Sequence, residues 1–314
     1  MKKYMELMLE TTNIIAIAEK DIEDFINLIS QKKYVEGVVL LGGLGKRRFL
    51  DKYSDLDIAI FYRAETTSNY FLPFEFHATL NKHRYEFNIH QLFYKTELKK
   101  DWNEEKKEAY ARSKILVDKK KRIKKLIKIK TAYDKKSAYN RLIWIMEQYV
   151  WRGQIHSLRT LYRGYPDGAH DLLNECLELL IEAVYILNFK YRPHKKWRIA
   201  ILNTVEILPN NFFRDIKQAM LISDFSIKDI KRRIKILNKI YAKIVKLVKQ
   251  KYPNFPEQPY EYYYRNFIQL KKDCFIQKTL DQLRPKTNTK ELRKLEEKLC
   301  LNLISNRRDI AKYN

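Results

Sequence analysis

Asp55 and Asp57 stand two residues apart in Tyr53-Ser54-Asp55-Leu56-Asp57-Ile58. Residues two apart in a strand share a face, so both carboxylates point one way while Leu56, Ile58 and Ile60 point into a core. Like charges so placed repel by several tenths to a few kcal/mol, depending on burial. Aspartate is also a poor strand former. A divalent cation between the two removes the conflict. One or two carboxylates, completed by substrate phosphates, make the hard oxygen shell that Mg²⁺ prefers.

A second cluster lies just upstream. Three of the chain's seven glycines, Gly42, Gly43 and Gly45, follow the apolar run Val38-Val39-Leu40-Leu41 and precede Lys46-Arg47-Arg48. Glycine permits positive φ and lets a ligand approach backbone N–H groups closely. A helix starting near Leu44 would turn its N–H donors and dipole toward the same spot, as a phosphate cradle requires.

The surrounding patterns say what holds these residues. Lys20–Lys32 reads as a helix with Ile22, Phe25, Ile26 and Ile29 on one face. Gly37–Leu41 and Leu56–Tyr62 read as strands. Phe74–Leu80 and Tyr85–Phe93 alternate around Asn81-Lys82-His83-Arg84, as an antiparallel hairpin would. Asp101–Arg112 and Lys120–Ile129 read as helices, with a short edge strand at Ile115–Val117 between them. Beyond about Ala132 the strand signals stop. Ala138–Gly153, Asp171–Asn188, Lys195–Val205, Phe213–Leu221, Ile227–Lys251 and Lys290–Leu303 carry helical spacing, with prolines between them. Pro253–Tyr264 reads as a loop. The expectation is an α+β chain with two domains, a small mixed sheet with helices over 1–131 and an all-α bundle over 132–314.

The run Leu41-Gly42-Gly43 followed by Tyr53-Ser54-Asp55-Leu56-Asp57-Ile58 resembles the signature of the DNA polymerase β nucleotidyltransferase superfamily. That signature is a strand, Gly-Ser or Gly-Gly, a short helix, then Asp-x-Asp on the next strand. It spans about twenty residues here. The resemblance implies transfer of a nucleoside monophosphate, AMP most often, from an NTP, with two Mg²⁺ or Mn²⁺ ions held by three carboxylates. Gly43 stands where the commoner form has serine, which removes a hydroxyl contact to phosphate. By the same likeness Asp55 and Asp57 bridge the ions. Gly42 and Gly43 hold the triphosphate through N–H groups, and Lys46 or Arg47 adds charge. The third acid is expected on a neighbouring strand. In Tyr85-Glu86-Phe87-Asn88-Ile89-His90 the residues Glu86, Asn88 and His90 share one face. Glu86 takes the catalytic and metal role, and Asn88 and His90 line the acceptor cleft.

The helical half adds Leu180–Asn188 with Glu182 embedded, then Tyr191-Arg192-Pro193-His194-Lys195-Lys196-Trp197. This resembles the C-terminal region of small-molecule nucleotidyltransferases, including aminoglycoside adenylyltransferases. The likeness gives Glu182 to the acceptor and Lys195 or Lys196 to the phosphates.

The whole chain carries 63 Lys+Arg against 38 Asp+Glu, a formal charge of +25. That favours polyanionic company, so RNA or protein as acceptor, in the manner of toxin–antitoxin pairs, is the alternative to a small molecule. A catalytically inactive nucleotide-binding module is the third reading. Cys176, Cys274 and Cys300 are too few and too scattered for a disulfide framework or a CxxC zinc site. No apolar run reaches the ~20 residues of a membrane span, and the start shows no secretory pattern. The expectation is a cytoplasmic protein without a membrane partner.

Overall fold

Ile15, Ala18, Ile22, Ile26 and Ile29 recur every three or four residues, and in the computed structural model all five are buried in one apolar cluster with the sheet. The structure describes residues 15–46, 54–63, 72–256 and 259. The chain divides into two compact units, Met1–Tyr133 with Lys190–Ile201, and Asp134–Phe189 with Leu202–Asn314. The first holds a mixed sheet with helices and the second is helical, an α+β chain.

In the first unit, helical backbone over 15–21 leads into α1 (Glu23–Ser30), then β1 (Val35–Leu40) and the short α2 (Gly42–Lys46). β2 (Leu56–Tyr62), β3 (Glu75–Leu80), β4 (His83–Phe93), α3 (Tyr94–Lys99), α4 (Glu104–Ala111), β5 (Lys114–Asp118) and α5 (Arg122–Lys130) follow. The sheet order is β3-β4-β2-β1-β5. β2 runs parallel to β4, and the other neighbours are antiparallel.

Period-two alternation gives the sheet two apolar faces. Val38, Leu40, Leu56, Ile58, Ile60, Phe87 and Ile89 join the N-terminal helices, with Phe76 stacked on Phe87 at 4.8 Å between ring centroids. Val39, Leu41, Ala59 and Phe61 join Trp102, Tyr110, Ile123 and Leu126 on the other face. Asp57, between Leu56 and Ile58, therefore belongs to this second face.

The hairpin is tighter than the sequence pattern suggests. Leu80 pairs with His83, so only Asn81 and Lys82 form the loop, both at positive φ (46° and 73°). A two-residue primed turn demands such angles. The buried carboxylate of Asp21 pins it, accepting from Asn81 Nδ2 at 3.0 Å and Tyr85 OH at 2.7 Å, with His83 Nδ1 at 2.8 Å. The expected helix over Asp101–Arg112 begins only at Glu104, because the Asn103 side chain accepts from Lys106 N and caps it. At α5 the cap position is Lys121, and Asp118, three residues earlier, accepts from Ile123 N and Lys124 N in the first turn.

The second unit contains α6 (Lys135–Tyr149), a π-helical segment Val150–His156, α7 (Ser157–Tyr162), α8 (Pro166–Leu187), α10 (Phe212–Met220) and α11 (Ile227–Lys251); α9 (Arg198–Ile201) lies in the first unit. α8 starts five residues earlier than its apolar pattern, since Pro166 fits the first helical turn, where its missing N–H costs nothing. The expected helix over Lys195–Val205 is reduced to α9 and one 3-10 turn, Leu202–Thr204. Arg233 of α11 is wholly buried. It donates to Ala219 O at 2.8 Å and Asn174 Oδ1 at 2.7 Å, and lies 2.7 Å from His170 Nδ1. The expected helix Lys290–Leu303 and most of the Pro253–Tyr264 loop lie outside the described residues. Among the described residues no helix is long and apolar enough to cross a membrane.

Candidate active site

The site begins where β1 ends. Leu41 N donates to Asp57 O at 2.9 Å, which joins the end of β1 to the start of β2. The chain then turns into α2 through Gly42 at φ +54°. A side-chain carbon on Gly42 would lie 2.0 Å from Asp57 Oδ2. Glycine is required there twice, by the backbone angle and by the carboxylate that occupies the space.

β4 supplies the flank. Its parallel register sets Asn88 beside Asp57 and His90 beside Ala59. Asn88 Nδ2 donates to Asp55 Oδ2 at 2.6 Å, and His90 Nε2 lies 3.5 Å from Asp57 Oδ1. Phe74 meets the His90 ring edge-on, with centroids 6.3 Å apart. Asp55 and Asp57 thus each face a polar β4 residue.

These groups open on a cavity of about 670 Å³ formed within the first unit. One wall carries Gly42, Gly43, Ser54, Asp55, Asp57 and His90. The other carries Glu105, Lys106, Glu108 and Tyr110 of α4 together with His194, Lys196 and Trp197. The charge of Lys106 is committed elsewhere. It donates to Glu97 at 2.7 Å and sits over the Trp102 ring at 4.9 Å, while Trp102 Nε1 donates to the same Glu97 oxygen at 2.5 Å. Glu108 lies 3.3 Å from Arg112. Burial, then the negative charges of Glu97 and Asp57, pushes the Tyr110 hydroxyl far above the usual phenol range, so it stays protonated. Arg198, at the start of α9, is held below its ordinary value by burial, which the nearby Glu105 charge opposes.

Of the residues expected from the sequence, the fold brings Gly42, Gly43, Asp55, Asp57, Asn88 and His90 to one corner. Glu86 shares the face of Asn88 and His90 but is not on the cavity wall; it pairs across β3–β4 with His77. Lys195 is exposed and off the wall, while its neighbours His194 and Lys196 line it. Glu182 belongs to the second unit, where Arg141 approaches it at 3.3 Å. The side chain of Lys46 lies outside the described residues. Among the described residues no three His, Cys, Asp or Glu side chains gather around one point as a metal cluster. The three-carboxylate cluster of Asp55, Asp57 and Glu86 is therefore not formed: the place beside Asp57 in the register belongs to Asn88, and Glu86, two residues earlier on β4, lies beyond the β2–β4 pairing.

Sequence reading missed Glu105, Glu108, Tyr110 and Trp197 as wall residues. Glu104-Glu105-Lys106-Lys107-Glu108 reads as a solvated helix face, and only the tertiary fold turns part of it inward.

No family model matches the chain, and no curated protein matches it. Among solved structures it is similar to a nucleotidyltransferase-like protein from Exiguobacterium sibiricum 255-15. That likeness has 13% identity and a TM-score of 0.42, and covers 74% of this chain and 77% of the other.

Proposed function

We propose that the first unit is a nucleotidyltransferase domain that moves a nucleoside monophosphate, AMP by the resemblance, from an NTP to a hydroxyl of a small acceptor. The observation that carries this reading is the corner in which Asp57, paired in spacing with Asp55, lies against the Gly42–Gly43 bend on a cavity wall.

The residues divide the work by charge. Gly42 and Gly43, without side chains, leave backbone open to the triphosphate tail. Asp55 and Asp57 would hold the divalent cations; the glycine cradle beside Asp57 and the hard oxygen donors fit such ions. When bound, Mg²⁺ or Mn²⁺ would supply Lewis-acid stabilisation of charge on the phosphates. The acceptor oxygen forms a bond to the α-phosphorus, the bond from that phosphorus to the bridging oxygen breaks, and pyrophosphate leaves. The hydroxyl proton passes to a wall carboxylate, the role first expected of Glu86.

The cavity lining mixes aromatic and acidic groups, Tyr110, Trp197, Glu105 and Glu108, with His194 and Lys196, while the charge of Lys106 is taken by Glu97. The two carboxylates would oppose a phosphate backbone, which is what favours a small acceptor over RNA. RNA stands as the second reading on the basic outer face of α11, whose apolar stripe from Ile230 to Val248 is buried. Binding to RNA would weaken steeply with salt.

The test is incubation with each α-labelled NTP, Mg²⁺ and separate pools of metabolites, RNA and protein. Label in the metabolite pool with pyrophosphate release supports the reading. Absence of label in every pool, with no binding of NTP, leaves an inactive module.

A further inference from the structure

We propose that the end of the second unit where the α7–α8 turn meets the α10–α11 turn is a docking face for a second copy of this chain, joined about a two-fold axis. Among the described residues thirteen large apolar or aromatic side chains are exposed, and seven of them lie at these two turns. Tyr162 and Tyr165 flank the bend at Gly164. Met220, Leu221, Ile222, Phe225 and Ile227 occupy the end of α10, the connection and the start of α11. Their exposures run from 38% to 69%.

Contacts at the starts of α8 and α11 make the two turns one surface. Lys231 Nζ lies over the Tyr162 ring at 5.8 Å. Ile227, four residues before Lys231, shares that face of α11. Phe225 stands edge-on to the His170 ring, with centroids 5.2 Å apart. Arg233 can only donate, so His170 Nδ1 accepts from it and the ring proton sits on Nε2, which donates to Asp224 O at 3.1 Å. Arg232 donates to the carbonyls of Gln218 and Leu221, which fixes the end of α10. The exposed side chains therefore stand on a pinned backbone, and binding has little ordering cost to meet.

The area matches a dimer contact. With about 200 Å² per large side chain, the exposed fractions come to roughly 800 Å², about what each partner of a standard interface contributes. The largest apolar patch on a typical monomer is only about 300–600 Å².

Charge decides the occupant. Around the patch the exposed Arg163, Lys228 and Lys231 are matched in number by the exposed Asp167, Asp171 and Asp224, in a chain of net charge +25. A polyanion or an anionic bilayer would meet three carboxylates here and finds more positive charge elsewhere on the chain. A two-fold contact is self-complementary, so the bases of one copy can face the acids of the other. It also brings the copies together at a locally neutral place, where repulsion between two basic chains is least.

The experiment is sedimentation equilibrium of the full chain from about 1 to about 100 μM. The mass should rise from one copy toward two across that range. The rise should come at lower protein concentration in about 0.5 M salt than in about 0.05 M, because screening weakens the repulsion between the basic chains. Tyr165→Asp combined with Ile227→Glu should raise the dissociation constant at least about tenfold. Both substitutions set an acid at a helix start, the cap of α8 and the first turn of α11, where it is favoured, so the variant should fold, and its melting temperature at low concentration checks this. Ile129→Glu, at an exposed isoleucine of the first unit, should leave the association unchanged. One copy at every concentration would overturn the proposal, and co-sedimentation of that monomer with vesicles of phosphatidylcholine and phosphatidylglycerol would give the face to a bilayer instead. Two copies that the double variant does not separate would also overturn it, since the contact would then lie elsewhere.

Discussion

Asp57 Oδ2 occupies the place a side-chain carbon on Gly42 would need, 2.0 Å from it. The acid and the glycine are fifteen residues apart in the chain and are brought together by the antiparallel pairing of β1 with β2, which the bond from Leu41 N to Asp57 O extends. On the proposed function, the nucleotide tail and the carboxylate would share this corner of the sheet.

Gly42→Ala should therefore fail in two ways. The left-handed backbone costs about 1–2 kcal/mol for a residue with a side chain, and the methyl group must displace Asp57. Gly164, at φ +87° with nothing near its would-be side chain, is the comparison. Gly164→Ala should lower the melting temperature modestly and leave Mn²⁺ binding intact. Gly42→Ala should lower it further and abolish that binding.

Asp57→Asn keeps shape and removes charge. Label transfer should fall by at least ~10²-fold, the scale of losing one strong electrostatic contact at a reacting centre. The melting temperature should hold or rise slightly, since repulsion with Asp55 is relieved. Circular dichroism melts and the labelled-NTP assay check the two halves.

The corner was legible in the sequence to the extent that it depends on local pattern. The apolar run into Gly42-Gly43 and the Asp-x-Asp alternation mark the end of one strand and the start of the next. The alternation of Glu86, Asn88 and His90 gives their common face. Which of those three stands beside Asp57 is fixed by the parallel register of β2 with β4, and register between distant strands leaves no mark on spacing. The α4 wall was illegible for a different reason. Its charged residues satisfy a solvated helix equally well, and the inward turn of Tyr110 follows from packing against Phe61 and Trp102.

Asp21 ties the hairpin to the N-terminal helix. Burial raises its carboxyl, but hydrogen bonds from Tyr85 and Asn81 and the contact with His83 outweigh that and hold it below the ordinary value of 3.8. A carboxyl lowered in the folded state contributes stability above its unfolded value, lost as pH falls through the folded one. Stability of the first unit should fall below about pH 4, and Asp21→Asn should flatten that acid limb. The substitution should cost about 2–3 kcal/mol at neutral pH, the scale of charge-assisted hydrogen bonds. Urea melts at pH 7 and pH 3.5 measure both.

Arg233 holds the second unit from within. Burial draws its guanidinium below the usual value, with the Asp229 charge opposing. Arg233→Met would leave His170, Asn174 and the Ala219 carbonyl without their donor. Each buried acceptor left without a donor costs about 1–3 kcal/mol. Hydrogen exchange should show earlier opening of α8 and α11.

The central claim is that the triphosphate and its cation meet at the Gly42–Asp57 corner, and a crystal structure with Mn²⁺ and a non-hydrolysable ATP analogue tests it most directly. The account predicts an anomalous manganese peak within bonding distance of Asp57 and phosphate oxygens over Gly42 and Gly43. A nucleotide seated elsewhere on the chain, with no metal at Asp57, would contradict it.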